Sequence, residues 1–248
     1  DTAFIKSGDS EPLHSDWREV SWKIDAMETT RALSGKNAGW LIVDHYGIWK
    51  DWQLVVKDYV GKIMVIDDLA DRKHYCDVLL DQNLGSDISL YEKLVPNTCK
   101  TFFGPKYALV RPEFAAWRSS SLERRKDGKL KNILINFGGG DPEGYITRTL
   151  ESLFNSVLSS EITILVIFGG LTLPDDRHQG LISRFQAKIE IYGMVNNMAE
   201  ILSGSDLVIG AAGSSSWERC ALGVPSIVFP IALNQTRIAE QLAQLLGL

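Results

Sequence analysis

Apolar runs of strand length recur along the chain, and each ends in polar or glycine-rich residues. They are 40–46 (WLIVDHY), 62–68 (KIMVIDD), 76–83 (CDVLLDQN), 132–140 (NILINFGGG), 162–170 (ITILVIFGG), 189–193 (IEIYG), 206–212 (DLVIGAA) and 225–231 (PSIVFPI). Near-continuous apolar runs fit strands buried on both faces, as in parallel sheets. Helical patterns lie between them. Residues 17–33 place Val20, Ile24 and Met27 on one face, and 196–205 and 235–246 repeat the form. Strands alternating with amphipathic helices give βαβ units with right-handed crossovers. The expected class is α/β, with doubly wound parallel sheets.

The segment 118–131 (RSSSLERRKDGKLK) breaks this rhythm, because it has no apolar period and carries Gly128. It reads as a linker, so the expected division is 1–117, 118–131 and 132–248, two domains facing a cleft. Its six basic residues could suggest a phosphate patch, but no aromatic residues are interleaved, and a solvated linker is the preferred reading. The chain opens without methionine and stops directly after a helical pattern, so both domains are expected to be incomplete, the first lacking a βα segment and the second its end.

Composition excludes several classes of function. The formal net charge of −5 argues against a general nucleic-acid binder. The apolar runs are too short to span a membrane, and no charged-then-apolar leader is visible. The 3 cysteines, Cys76, Cys99 and Cys220, stand far apart in sequence and read as small core residues in a reducing compartment. A cytoplasmic protein without cofactor or metal cluster is expected, with a monomer favoured.

Ligands of doubly wound sheets bind at the carboxyl ends of the strands. The stretch 210–225 (GAAGSSSWERCALGVP) strips its side chains at such an end. Gly210, Ala211, Ala212 and Gly213 allow a tight turn and close approach of a ligand. Ser214, Ser215 and Ser216 then begin a helix whose first N–H groups point outward, at the positive end of its dipole. Together these suit a phosphate. The stretch is neither a GxGxxG fingerprint nor a Walker loop. Glu218 has two readings that spacing does not separate: the partner of Ser215 in a capping box, or the acceptor of two ribose hydroxyls. Trp217, Cys220 and Ala221 fall at helical spacing and are expected in the core.

The stretch through LNQ resembles the nucleotide-binding segment of UDP-sugar enzymes with the glycosyltransferase-B fold. A narrower likeness rests on LIVDHYGI, VIDDLADRKHYCDVLLDQN, FGPKYALVRPEF, NFGGGDP, NNMAEIL and GSSSWERCALGVPS...LNQ, which follow in that order from about Trp40 onward. By these motifs the chain resembles the UDP-2,4-diacetamido-2,4,6-trideoxy-β-L-altropyranose hydrolases of pseudaminic acid biosynthesis. The resemblance implies two Rossmann-like domains of glycosyltransferase-B type and a UDP-activated amino sugar as substrate. It assigns Gly213, Ser214, Ser215, Ser216 and Glu218 to UDP, and Tyr46, Asn234 and Gln235 to the sugar and its leaving group. The base is expected to meet the backbone of Gly193–Val195, including Met194, after the IEIYG run.

One family feature has no match in these residues. The histidine taken to activate water sits in a Gly-rich turn after the family's first strand, and none of His14, His45, His74 and His178 sits in such a turn. His45, at a strand's carboxyl end, is the remaining candidate, while His14, His74 and His178 read as solvated. Asp67 and Asp68 are adjacent, point to opposite faces and cannot share one proton. A turn-capping role is expected for at least one of them, and for Asp141 before a helix. Hydrolysis needs a held water, a base and stabilisation of the departing UDP, and the helix start at 214–218 suits the last of these. A glycosyltransferase of the same fold, a UDP-sugar 2-epimerase and a nucleotide-sugar-binding remnant are the competing readings.

Overall fold

The computed structural model describes residues 11–139, 144–156, 160–170 and 175–246. Asp141 lies outside them. The chain divides into two compact units, Asp1–Ala108 and Leu109–Leu248.

The first unit runs α1 (Trp22–Leu33), β1 (Ala38–Val43), α2 (Lys50–Val56), β2 (Val60–Ile66), β3 (Val78–Asp81), a short α3 (Ile88–Tyr91) and β4 (Lys100–Phe103). The strands are parallel and lie in the order β1-β2-β3-β4. When each strand adds on the same side, right-handed crossovers put their connections on one face. Trp22 and Ala26 of α1 and Trp52 and Val56 of α2 pack there against Val43, Ile63, Val65 and Leu79.

Helix α1 does not bury the stripe expected of it. Val20, Ile24 and Met27 are exposed, while Trp22 and Ala26 turn inward. The Trp52 indole N–H donates to Asp25 Oδ1 at 2.6 Å, which ties that edge of the helix to α2. The small Ala26 lets the two backbones approach. On the other face of the sheet Trp40 and Ile42 of β1 remain exposed. The strand β4 has no counterpart among the expected runs, because its four residues, KTFF, begin with a lysine and a threonine.

The second unit runs α4 (Pro112–Arg124), β5 (Asn132–Asn136), α5 (Tyr145–Phe154), β6 (Thr163–Ile167), α6 (Asp176–Ile182), β7 (Lys188–Tyr192), α7 (Met198–Ser203), β8 (Leu207–Ala211), α8 (Ser215–Leu222), β9 (Ser226–Phe229) and α9 (Leu233–Leu246). Its parallel strands lie in the order β7-β6-β5-β8-β9, so the direction of winding reverses at β5. Both faces are covered. Ile146 and Leu150 of α5 and Leu181 of α6 meet Ile133, Ile135, Ile164 and Val166 on one side. Phe114 of α4, Ala199 and Leu202 of α7 and Leu222 of α8 meet Leu134 and Val208 on the other. This is the doubly wound, Rossmann-like arrangement expected.

The expected linker at 118–131 is corrected. Residues 118–124 belong to α4, which starts with Pro112 in its first turn and packs within the second unit. The division of the chain falls earlier, after Ala108. The hydrophilic sequence hides this because its polar groups serve helix ends. Ser121, fully buried, donates to Leu222 O at 2.9 Å, Arg125 donates to the same carbonyl at 2.6 Å, and Arg118 donates to Ala221 O. These are the last carbonyls of α8, where cations and donors offset the negative helix end. Arg124 pairs with Asp206.

Candidate functional site

The reversal of strand order places a crevice at the carboxyl ends of β5 and β8, the switch point at which open α/β sheets bind ligands. Gly210 makes the two strand ends fit: a Cβ there would stand 2.1 Å from Asn136 O. The chain then turns through Ala212 and Gly213 into α8. Ser216 N–H bonds to Gly213 O at 2.9 Å and Trp217 N–H to Ser214 O at 3.0 Å. The amides of Gly213, Ser214 and Ser215 therefore precede the first helical hydrogen bond.

Arg219 holds this turn from inside. Its side chain is buried, and it donates to Ala211 O at 2.8 Å, Ser215 Oγ at 3.0 Å and Ser216 Oγ at 2.9 Å. Burial lowers its pKa to about 10, which leaves it charged at neutral pH. The serines consequently differ. Ser214 is exposed, Ser215 is half-buried, and Ser216 is buried with its hydroxyl turned toward Arg219. Ser216 thus offers a ligand its backbone position, not its side chain. Trp217 is in the core as expected, whereas Cys220 is exposed, contrary to expectation.

The capping box is absent. Ser214, not Ser215, is the N-cap of α8, and no side-chain cap hydrogen bond is made. Glu218 instead lies 4.0 Å from Arg111 Nη2. Burial raises the Glu218 carboxyl above its ordinary value, and the Arg111 and Arg219 cations oppose that rise. Arg111 is half-exposed and also pairs with Glu113 at 3.0 Å. Sequence reasoning missed both arginines as parts of the site, although each lies in a motif that was singled out, LVRPEF and SSSWERC.

Gln235, at the start of α9, comes to the same turn. Its Nε2 is 3.4 Å from where a Cβ on Gly213 would stand, and its Oε1 accepts the Ile231 amide at 3.1 Å. Asn234 precedes it, half-buried. Met194 follows β7, two strands from β5, and its exposed side chain lies over Gly170 at the end of β6.

The carboxyl edge of the first sheet is built differently. Asp67 pairs with Arg72 Nη2 at 2.7 Å, accepts the Ala70 amide at 3.0 Å and accepts from Tyr91 Oη at 3.0 Å. Tyr91 Oη is also 3.1 Å from Asp81 Oδ2. One hydroxyl hydrogen serves one carboxylate at a time, and burial raises the pKa of Asp81 while hydrogen bonds from Ser86, Asn83 and Tyr91 oppose the rise. His74 is buried beside this group, contrary to its expected solvation. Burial lowers its pKa to about 4, Gln53 Nε2 donates to its Nδ1 at 3.2 Å, and its Nε2 is 3.9 Å from Asp67 Oδ2. His178 is buried as well. Its Nδ1 is 2.5 Å from Asp175 Oδ1 in the capping box of α6, and its Nε2 is 2.9 Å from Thr147 Oγ1.

Asp68, which like Asp67 follows the end of β2, has other partners. It accepts hydrogen bonds from Tyr46 and from Asn83, and burial raises its pKa. The Tyr46 ring packs against His14 and Trp17, with centroids 5.7 and 5.4 Å away, and under the Arg72 guanidinium. His45 Nδ1 accepts the Gly47 amide at 2.9 Å. In the neutral ring its Nε2 then carries the hydrogen, which makes it a donor in this geometry.

Residues 137–247 match the glycosyltransferase family 28 C-terminal domain. The chain is 32% identical over 193 residues to an uncharacterised protein of Methanocaldococcus jannaschii, covering 76% of this chain and 39% of that one. It therefore spans about two-fifths of that relative's length. It is 28% identical to the UDP-2,4-diacetamido-2,4,6-trideoxy-beta-L-altropyranose hydrolase of Campylobacter jejuni, covering 82% of this chain and 70% of the relative. It is 26% identical to the spore coat polysaccharide biosynthesis protein SpsG of Bacillus subtilis, covering 97% of this chain and 71% of the relative. Among solved structures, MurG of Acinetobacter baumannii superposes with a TM-score of 0.55 at 18% identity, covering 89% of this chain and 61% of that one. That likeness supports the glycosyltransferase-B-like fold. Homology thus ties the chain, distantly, to the hydrolase and to SpsG.

Proposed function

We propose that the second unit binds the UDP moiety of a nucleotide sugar, and that the protein hydrolyses a UDP-linked 2,4-diacetamido-2,4,6-trideoxy sugar at its anomeric carbon. The observation that carries the nucleotide reading is Glu218. It sits one turn into α8, makes no capping bond and has Arg111 as a loose neighbour. Its carboxylate is thus available to two vicinal ribose hydroxyls. The amides of Gly213, Ser214 and Ser215 then meet the pyrophosphate, and the helix dipole offsets its charge. Gln235, held against Gly213, reaches the sugar side of the same turn, with Asn234 beside it. The backbone at Met194 receives the base.

In the reaction the bond between the anomeric carbon and the phosphate oxygen breaks, water forms the new bond, and UDP leaves with the bonding pair. The α8 start stabilises the charge that grows on the leaving phosphate. Tyr46 is assigned to the sugar, and His45 supplies a donor through Nε2. Relatives of both kinds, a UDP-sugar hydrolase and glycosyltransferases, support a nucleotide-sugar substrate. The likeness to the hydrolase favours water as acceptor.

Titration calorimetry tests the nucleotide claim. UDP is expected to bind in preference to CMP and TMP, and a folded chain that binds no uridine nucleotide would remove the reading. A UDP-release assay separates turnover from binding. With no histidine in a Gly-rich turn within residues 1–248, turnover by this chain is expected to fall ~10²–10⁴-fold below that of an enzyme with a positioned base.

A further inference from the structure

Cys76 and Cys99 are 23 positions apart in sequence, yet the structure joins them: their sulfurs are 3.6 Å apart, and both are free thiols. The cause is strand pairing. Val78 of β3 lies opposite Lys100 of β4, so the residues that lead into the two strands are neighbours. We propose that these two thiols form an oxidisable pair, closed to an intrachain disulfide by a hydroperoxide.

The two sulfurs are not equivalent. Cys76 is buried and Cys99 is half-buried. Either thiol can donate across the contact, and Cys99 Sγ also donates to Lys100 O at 3.6 Å; the hydrogen bond between the sulfurs lowers the pKa of Cys99 and raises that of Cys76. The Leu79 amide also donates to Cys99, while burial and the nearby Asp77 carboxylate act against its thiolate. Cys99, the less buried sulfur and the one whose pKa is lowered, is therefore the nucleophile. A small oxidant meets Cys99 at its solvent-facing side, since that residue is only half-buried. Cys76 lines a recess of about 240 Å³ whose polar wall includes Lys57, Lys62, Asp77 and Thr98.

The steps balance. The Cys99 thiolate attacks one peroxide oxygen, the O–O bond breaks, and hydroxide leaves and takes a proton to become water. The resulting sulfenic acid is attacked by the Cys76 sulfur. The S–S bond forms, the S–O bond breaks, and hydroxide departs with the Cys76 proton as a second water. Two thiols are oxidised and one peroxide is reduced to two waters. The sulfurs must close from 3.6 Å to about 2.05 Å, a movement within reach of side-chain rotation.

The pair lies at the start of β3 and β4, at the opposite end of the sheet from Asp81 and Phe103, which close those strands. It is thus separate from the carboxylate cluster and independent of the proposed reaction.

The experiment uses the full chain with Cys220→Ser, which removes the exposed thiol and with it coupling between molecules. After a few equivalents of hydrogen peroxide, the intact mass should fall by ~2 Da as two thiols join, and the peptides carrying Cys76 and Cys99 should be linked. Linkage should run at least about tenfold faster in the folded chain than in urea, as expected for a preformed contact. Cys76→Ser should instead leave a sulfenic acid on Cys99 that dimedone traps. The proposal fails if the folded chain keeps both thiols, if it gains oxygen without a cross-link, or if the link forms no faster folded than unfolded.

Discussion

The two parallel sheets end in polar residues at the same edge, but they use them in opposite ways. In the first, Asp67, Arg72, Tyr91 and Asp81 answer one another, and His74 sits neutral behind them. The contacts of these carboxylates are made to one another's partners within the protein, and only His74 Nε2 among the ring nitrogens there makes no hydrogen bond. In the second, Arg219 braces the turn from inside and the amides in front of α8 stay outside the helical ladder. The winding explains part of the contrast. The first sheet adds strands in one direction, and the second reverses at β5 and so opens a crevice. A cluster of charged residues at a strand end is thus no sufficient sign of a ligand site. The sign is donors left over after the fold has been built.

If the first cluster is structural, breaking it should cost stability and leave nucleotide binding alone. Asp67→Ala strands the buried Arg72 guanidinium beside Asp71 alone among carboxylates, and should destabilise the first unit by about 3–5 kcal/mol. Denaturant unfolding checks this. A marked loss of UDP affinity without a loss of stability would make the Asp67 cluster itself a nucleotide site and erase the contrast.

The pH dependence of stability sharpens it further. His74 has a folded pKa of about 4 against the ordinary 6.5. Because the folded state resists the proton, the contribution is full above pH 6.5 and is lost as pH falls toward 4. The loss amounts to roughly 3 kcal/mol. His74→Asn should flatten that part of the profile relative to the parent chain. An unchanged slope would show that His74 takes up its proton in the folded protein.

A smaller effect marks the boundary of the second unit. Ser121→Ala removes a buried donor to Leu222 O and an acceptor of Arg125, and should lower stability by about 1 kcal/mol. A residue in a solvated linker would show no change in the melting curve.

Much of this was legible in the sequence. Eight of the nine strands among the described residues stand out as apolar runs, and Gly210 and Gly213 announce a tight turn. What was hidden depends on partners remote in the chain. His74, in DRKHY, shows no period and reads as solvated, because its burial beside Arg72 is decided by carboxylates gathered from the ends of β2 and β3. The α4 segment reads as a linker because its arginines and Ser121 serve carbonyls of α8 about a hundred residues away. The spacing of Ser215 and Glu218 fits a capping box equally well, and only the N-cap geometry at Ser214 separates the two readings.

Glu218 carries the central claim, and one titration tests it. UDP and its 2′-deoxy analogue are measured against the parent chain and Glu218→Gln. The parent should prefer UDP. The substitution should cost UDP roughly 1.5–3 kcal/mol through lost charge-assisted bonds, cost the deoxy analogue much less, and leave the melting midpoint nearly unchanged. Equal losses for both nucleotides, or a large drop in melting temperature with affinity preserved, would contradict a ribose-binding carboxylate.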